Sequence, residues 1–361
     1  MSQETSRSRQ ARLTSYAAVS TSLALLGDDE LARLLDEAAV PLGTGIGGTS
    51  ARLEVEGTPV FVKRVTLTDL ERQPGNVRST ANLFGMPPFC QYGIGLIGSP
   101  GFGAWRELAA HTMTTDWVLA DQFAGFPLMY HWRVLPHPAP ALVEQLADVD
   151  RAVAYWGGGA EVRRRIEALR TSSASLTLFL EHLPQNLHQW LNTQVEAGDE
   201  AAVRACAVAD RRLREGVSFM NSRGLMHFDT HFGNIMTDGR RLYFTDFGLA
   251  TSSRFALSPE ERDFLRLHRT YDETYTMSYL VHWLVAALYR PDRDKRRALV
   301  RAWAGGERPT GVPGEIAELL SRYSPLTGVM WDFYGKLMDE SRKTPYPVEE
   351  VRRVAEQPAT G

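Results

Sequence analysis

A chain of 361 residues, 43% hydrophobic and 23% charged, has the composition of an ordinary folded protein and enough apolar material for one large domain or two lobes. A formal net charge of −3 argues against a dedicated binder of nucleic acid or of anionic membranes. Its two cysteines, Cys90 and Cys206, cannot build a disulfide framework and have no metal-type spacing, which suits a reducing cytoplasm.

The first dozen residues are polar and read as a disordered tail. Arg7, Arg9 and Arg12 precede an apolar stretch over 16–26, a weak imitation of a secretory leader. Ser15 borders that stretch, Ser20, Thr21 and Ser22 interrupt it, and a convincing cleavage site is lacking. Two short helical patterns follow over 16–26 and 28–39, the second with Asp28 and Asp29 placed to cap it. The longest apolar run, 277–289, is interrupted by His282 and too short to span a bilayer, so no membrane partner is expected.

Gly43-Thr-Gly45-Ile-Gly47-Gly48 precedes two alternating runs, Arg52-Leu-Glu-Val-Glu and Val60-Phe-Val-Lys63-Arg-Val, with Gly57 between them. Alternation predicts a strand, a turn and a second strand. A dinucleotide-binding fold would put a strand before the glycines and a helix after them. A Walker-type loop would need lysine where Thr49 stands. What remains is a glycine-rich hairpin whose amides suit phosphate oxygens, with Lys63 on the next strand to neutralise their charge. Arg64 is expected on the other side of that strand, facing solvent.

Residues 73–103 contain Pro87-Pro88, Gly93, Gly95, Gly98 and Pro100-Gly101 and read as a long irregular insertion. An amphipathic helix then runs from about Trp105 towards Leu119. Its Glu107 is the candidate partner of Lys63, preferred to Glu71, which stands just before the helix-breaking Pro74-Gly75. Segment 126–135 reads as a strand. Segment 139–170 reads as a second, helical insertion broken at Gly157-Gly158-Gly159, with Arg163-Arg164-Arg165 on a solvated face. A buried strand over 176–180, a polar crossing at Glu181 to Leu183 and a helix from near Asn186 come next. A long amphipathic helix over 200–223 should bury Val203, Ala207, Leu213, Val217 and Met220. From Ser258 to about Glu356 the pattern is mostly helical, with Trp283, Leu284, Leu288, Trp303, Leu319, Leu320, Trp331 and Phe333 as expected core.

The chemistry concentrates in 224–250. His227, Asp229 and Asn234 stand at offsets of zero, two and seven, and a polar turn at Asp238-Gly239 with Leu242-Tyr-Phe leads to Asp246-Phe247-Gly248. This set resembles the catalytic loop and metal-binding triplet of the protein kinase-like superfamily. The glycine hairpin and Lys63 are similar to its nucleotide loop and strand lysine, although Ser50 departs from the usual valine. The resemblance covers roughly residues 40–290. It implies an α+β, bilobal fold: a small antiparallel-sheet lobe with both insertions over 41–180 and a larger helical lobe over 181–361. Residues 1–40 would form a tail and helical extension.

The resemblance also implies ATP and Mg²⁺ as cofactors. Gly43, Gly45, Gly47, Gly48 and Lys63 would meet the phosphates, Glu107 would position Lys63, and backbone groups from Glu181 to Leu183 would bond the adenine edge. Asn234 and Asp246 would ligate the metal, and Asp229 would take the acceptor's proton. His227 would brace the loop against Phe247, with Gly248 as further support. His231 would touch phosphate or substrate, or else be a structural histidine. Phe228 stands where phosphorylation-switched kinases carry arginine. His231 stands where serine/threonine kinases carry lysine, as in aminoglycoside and choline phosphotransferases. About a dozen residues separate Asp246 from Ser258, a small platform for a peptide. A hydroxylated small molecule is therefore the expected acceptor, with a protein substrate as the alternative and a nucleotide-binding scaffold without turnover as a third reading. The completeness of Lys63, Asp229, Asn234 and Asp246 counts against the last. A zinc motif would need Glu after His227, where Phe228 stands.

Overall fold

In the computed structural model, which describes residues 3–138, 141–290 and 292–356, the alternating runs after residue 40 form one antiparallel sheet. Its strands are β1 (Val40–Gly45), β2 (Gly48–Val55), β3 (Thr58–Leu67), β4 (Met129–Pro136) and β5 (Ala174–Glu181), in the spatial order β1-β2-β3-β5-β4. β3 is central, with Lys63 opposite Ser50 on one side and Leu178 on the other. The hairpin between β1 and β2 turns at Ile46-Gly47 and pairs Gly45 with Gly48. Gly48 has φ +117°, and a Cβ there would lie 2.0 Å from the Arg64 carbonyl oxygen. Gly48→Ala is therefore expected to break the Thr49–Arg64 pairing and to destabilise the chain by about 2 kcal/mol or more. A lowered urea midpoint at unchanged m-value would show it; an unchanged midpoint would refute it.

The chain divides into two compact units, 1–183 with 246–250 and 255–258, and 184–245 with 251–254 and 259–361. Residues 3–40 fall in the first unit.

In the first unit the polar N-terminus is a helix, α1 (Gln3–Leu25), not a disordered tail. Composition is overridden by tertiary partners. The Arg12 guanidinium donates Nε to Glu181 Oε1 at 2.8 Å and Nη2 to Glu181 Oε2 at 2.5 Å, and Nη2 also donates to the Phe126 carbonyl at 2.7 Å. Val19 and Leu23 are fully buried. α2 (Asp28–Ala38) is capped at Gly27, whose N–H donates to Glu30 Oε2, while Asp28 and Asp29 lie in its first turn.

Glu71 lies in a single-turn helix, α3 (Asp69–Arg72), capped by Thr68, and is 1% exposed. The insertion after it is irregular apart from a 3₁₀ turn at Pro88–Gln91, and precedes α4 (Ala104–Leu119). The second insertion holds α5 (Glu144–Ala147), α6 (Val149–Tyr155) and α7 (Ala160–Arg170); its expected start at 139–140 lies outside the described residues. Arg164 is exposed and Arg163 pairs with Asp150, but Arg165 is buried on Glu71 at 3.0 Å, so the run is not one solvated face. The two insertions share a core: Phe84, Met86 and Cys90 of the first pack with Trp156, Val162 and Ile166 of the second. Arg64 is half-buried, donating towards His137 at 3.3 Å and lying 3.6 Å from Asp36.

The second unit is mostly helical. α8 (Leu187–Glu196) starts from Asn186 in a reciprocal capping box with Gln189. α9 (Asp199–Ser222) buries Ala202, Cys206, Ala209, Leu213, Val217 and Met220; Ala207 falls off that stripe and is exposed. α10 (Pro259–Leu267), α11 (Tyr271–Tyr289), α12 (Arg293–Ala304), α13 (Gly314–Asp339) and α14 (Val348–Glu356) follow, with α11 and α13 packed on each other. Trp283, Leu284, Trp303, Leu319, Leu320 and Phe333 are buried, while Leu288 and Trp331 are half-buried. Short strands complete the unit. β6 (Gln185–Asn186), β8 (Ile235–Thr237) and β9 (Leu242–Phe244) pair as one sheet, and β7 (Leu225–Met226) pairs with β10 (Thr251–Ser252). Among the described residues no helix is long and apolar enough to cross a membrane.

Candidate functional site

Each unit carries one set of the candidate residues. In the first, α4 lays Ala104, Trp105 and Leu108 on the apolar face of the sheet made by Leu176, Leu178 and Leu180. A second stripe of α4 carries Glu107 and His111, both buried. Glu107 Oε1 is 2.6 Å from Lys63 Nζ, and the Glu107 side chain is 3% exposed. Asp246 Oδ1 lies 2.9 Å from the same nitrogen, on a side chain that is 47% exposed. Burial opposes the Lys63 charge, but the two carboxylates outweigh it and hold the ammonium above its ordinary range. Burial pushes the Glu107 carboxyl up while Lys63 pulls it down. The 2.6 Å contact describes the ion-paired form.

Asp246 has left-handed backbone, φ 61° and ψ 73°, and its carboxylate accepts the Gly248 N–H at 3.4 Å. Phe247 is fully buried, its ring edge-on to His111 at 5.0 Å and tilted to Phe126 at 6.3 Å. The packed Phe247 ring thus holds the triplet in a backbone conformation that by itself costs energy. The glycine turn approaches the same nitrogen: a Cβ on Gly47 would come within 3.2 Å of Lys63 Nζ, whereas Cβ atoms on Gly43 and Gly45 would meet nothing within 4 Å. Packing does not demand glycine at those two positions.

Glu181 is tied into the first unit by its backbone and its side chain. Its N–H donates to the Leu128 carbonyl at 2.8 Å and its carboxylate binds Arg12 and the Leu128 N–H. That N–H is committed to the fold and is not left for an adenine edge. Leu183 is half-exposed at the end of the first unit.

In the second unit the loop after β7 is held by one residue that the sequence pattern does not single out. Asp272 accepts the His227 N–H at 2.6 Å and the Phe228 N–H at 2.8 Å, and is fully buried. Burial pushes its carboxyl up to about 6, against the pull of those two donors. The available signal was a carboxylate heading an otherwise apolar helix, but an acid in a first turn is also ordinary complement to the helix dipole. Phe228 has φ 64°, and its buried ring packs against Phe264, Tyr271 and His268 at 5.7, 5.2 and 5.9 Å. His227 donates from Nε2 to the Thr245 carbonyl at 2.9 Å and accepts the Asp229 N–H on Nδ1 at 3.3 Å, the bonding pattern of a neutral imidazole.

Asn234 donates its amide hydrogens to the Asp229 carbonyl and to Asp229 Oδ2, each at 3.0 Å. The Asn234 carbonyl in turn accepts the Thr245 N–H and hydroxyl at 2.9 and 2.8 Å. His231 Nε2 lies 3.8 Å from Asp229 Oδ2, and its Nδ1 accepts the Gly233 N–H. His227, Asp229, His231 and Asn234 are therefore one bonded cluster.

The donor set suits a hard cation. In the second unit both Asn234 amide hydrogens are on Asp229, which leaves the side-chain oxygen for a ligand, and in the first unit Asp246 carries a half-exposed carboxylate; each is an oxygen donor of the kind a hard cation takes. Among the described residues no group of three or more His, Cys, Asp or Glu could by itself hold a metal ion. Neither protein-family models nor curated proteins give a match to this chain.

Proposed function

We propose that this chain is an ATP- and Mg²⁺-dependent O-phosphotransferase of bilobal, protein kinase-like fold that moves the γ-phosphate to a hydroxyl of a small molecule. One observation carries the reading: Lys63 on the central strand stands beneath a glycine turn between a buried carboxylate at 2.6 Å and a half-exposed one at 2.9 Å. The antiparallel sheet of the first unit and the helical second unit fit that fold class. Mg·ATP would supply the phosphoryl group and its charge neutralisation. Lys63 would hold phosphate oxygens, Glu107 would keep Lys63 charged and in place, and Asp246 and Asn234 would ligate the metal. Asp229 would orient the acceptor hydroxyl and take its proton, its carboxylate fixed by Asn234. The fully buried ring of Phe228 offers no cation to a phosphorylated loop, which favours an unswitched, small-molecule enzyme. A protein kinase with a short activation segment is the second reading, favoured by the intact Asp246-Phe247-Gly248. Two buried cysteines outside any disulfide fit a cytoplasmic location.

The test is Mg·ATP turnover against a panel of hydroxylated metabolites and antibiotics plus a generic protein, with Lys63→Met beside the wild type. Mg²⁺-dependent transfer to a small molecule is expected, slowed about 10²-fold in the variant. Transfer to protein alone selects the second reading, and no nucleotide binding by the wild type sinks both.

A further inference from the structure

Contacts from both insertions converge on α4 and on the segments around it. Glu71 Oε1 accepts the N–H of Ala104, the first residue of α4, at 2.7 Å, and its Oε2 receives Arg165 Nη1 at 3.0 Å. Both side chains are buried, at 1% and 4% exposure. Arg165, on α7 of the second insertion, also donates Nε to the Pro100 carbonyl of the first at 3.2 Å. Gly103 turns the chain into α4 with φ +135°, and a Cβ there would lie 2.8 Å from Glu71 Oε1. On the neighbouring turn, Arg106 donates to the Thr80 carbonyl at 2.8 Å, and the Thr80 hydroxyl accepts the N–H of Ala256, in the segment after Asp-Phe-Gly, at 2.9 Å. The tip of the glycine turn is engaged as well: Ile46 packs on the shared core of the insertions.

Packing alone does not account for the Glu71–Arg165 pair. Desolvating two charges is costly, and apolar side chains of the same volume would fill the space more cheaply. What the pair adds is direction. It places a fixed acceptor on the first amide of α4, one turn ahead of Glu107.

We propose that Glu71 and Arg165 are positioning residues, and that the two insertions form a single brace which fixes the N-terminus of α4 and so holds Glu107 on Lys63. Its meaning for catalysis rests on the phosphotransferase reading; the brace itself does not. Protein kinases that switch use a loop phosphate to set the equivalent arrangement, and here buried contacts hold it without modification.

The test uses the full chain with Glu71→Gln and Arg165→Met together. The first change keeps an acceptor for Ala104, and the second fills the space of the arginine stem, so no charge is left buried alone. Hydrogen exchange of amides 104–110 and acetylation of Lys63 by acetic anhydride, both read by mass spectrometry, need neither nucleotide nor turnover. About tenfold faster exchange and about fivefold faster Lys63 labelling are expected, with a cooperative melt. Arg165→Lys, which can still reach Glu71, is expected to restore most of the protection. If the double variant does not fold, Arg165→Met alone, in which Glu71 keeps its donors at Thr68 and Ala104, carries the same reading, with about threefold faster labelling expected. Exchange and labelling equal to wild type in the folded variant overturn the brace. Turnover separates the two ideas: the pair is expected to slow transfer about tenfold in wild type but less than about twofold in a Glu107→Gln background. Equal slowing in both backgrounds overturns the route through Glu107. A wild type without turnover whose labelling still shifts keeps the brace and loses the phosphotransferase.

Discussion

Asp229→Asn is expected to slow phosphoryl transfer by about 10³-fold while leaving Mg·ATP affinity within about threefold. Asn is isosteric, and its oxygen can still accept the Asn234 Nδ2 bond that holds Asp229 Oδ2 at 3.0 Å. The Asp229 N–H to His227 Nδ1 is a backbone contact and survives the change. The loop should therefore keep its shape, and what is lost is a carboxylate able to take a proton from a hydroxyl. Lys63, Glu107 and Asp246 belong to the other unit and are untouched, so the nucleotide should still bind. The measurement is single-turnover transfer at saturating Mg·ATP beside nucleotide binding and a thermal melt. A rate within about tenfold of wild type would leave Asp229 no role as proton acceptor. A collapse in nucleotide affinity would mean that the aspartate, not only Asn234 and Asp246, holds the metal.

Whether a feature is legible in the sequence follows from how far apart its partners lie. The glycine turn, the strand bearing Lys63 and the spacing of His227, Asp229 and Asn234 are local, and local chemistry writes them: glycines where the backbone turns tightly, alternation where a strand is covered. Glu107 can be picked because it starts a helix of its own. The supports are different. Asp272 is 45 residues from His227, Arg165 is 94 from Glu71 and Arg12 is 169 from Glu181. No period or spacing announces such pairs, and each member alone resembles an ordinary surface charge. This is why Arg163-Arg164-Arg165 reads as uniformly solvated, and why residues 3–12 read as a tail. The misread N-terminal half of the α9 stripe, where Val203 is half-buried and Ala207 exposed, has another cause. Its small residues, Ala202, Ala205 and Ala209, carry the stripe, and alanine is a weak marker of phase.

Asp272→Ala should be the most destabilising of these changes, by about 3–5 kcal/mol. Two buried backbone N–H groups, those of His227 and Phe228, would lose their acceptor, at about 1–3 kcal/mol each. The left-handed backbone of Phe228 would then have only its ring packing to hold it. Urea unfolding checks the magnitude, and a loss under about 1 kcal/mol would mean that water replaces the carboxylate. The pH dependence gives an independent reading. Burial raises the Asp272 carboxyl from 3.8 to about 6, so between those values the folded state holds a proton that the unfolded state has released. The stabilising contribution is full below about pH 4 and is lost as pH rises through about 6. Asp272→Asn cannot titrate at this position. The stability of wild type relative to that variant should therefore fall by about 3 kcal/mol between about pH 4 and 7. A flat difference would mean that the two amides hold the carboxylate charged throughout, their pull having outweighed the cost of burial.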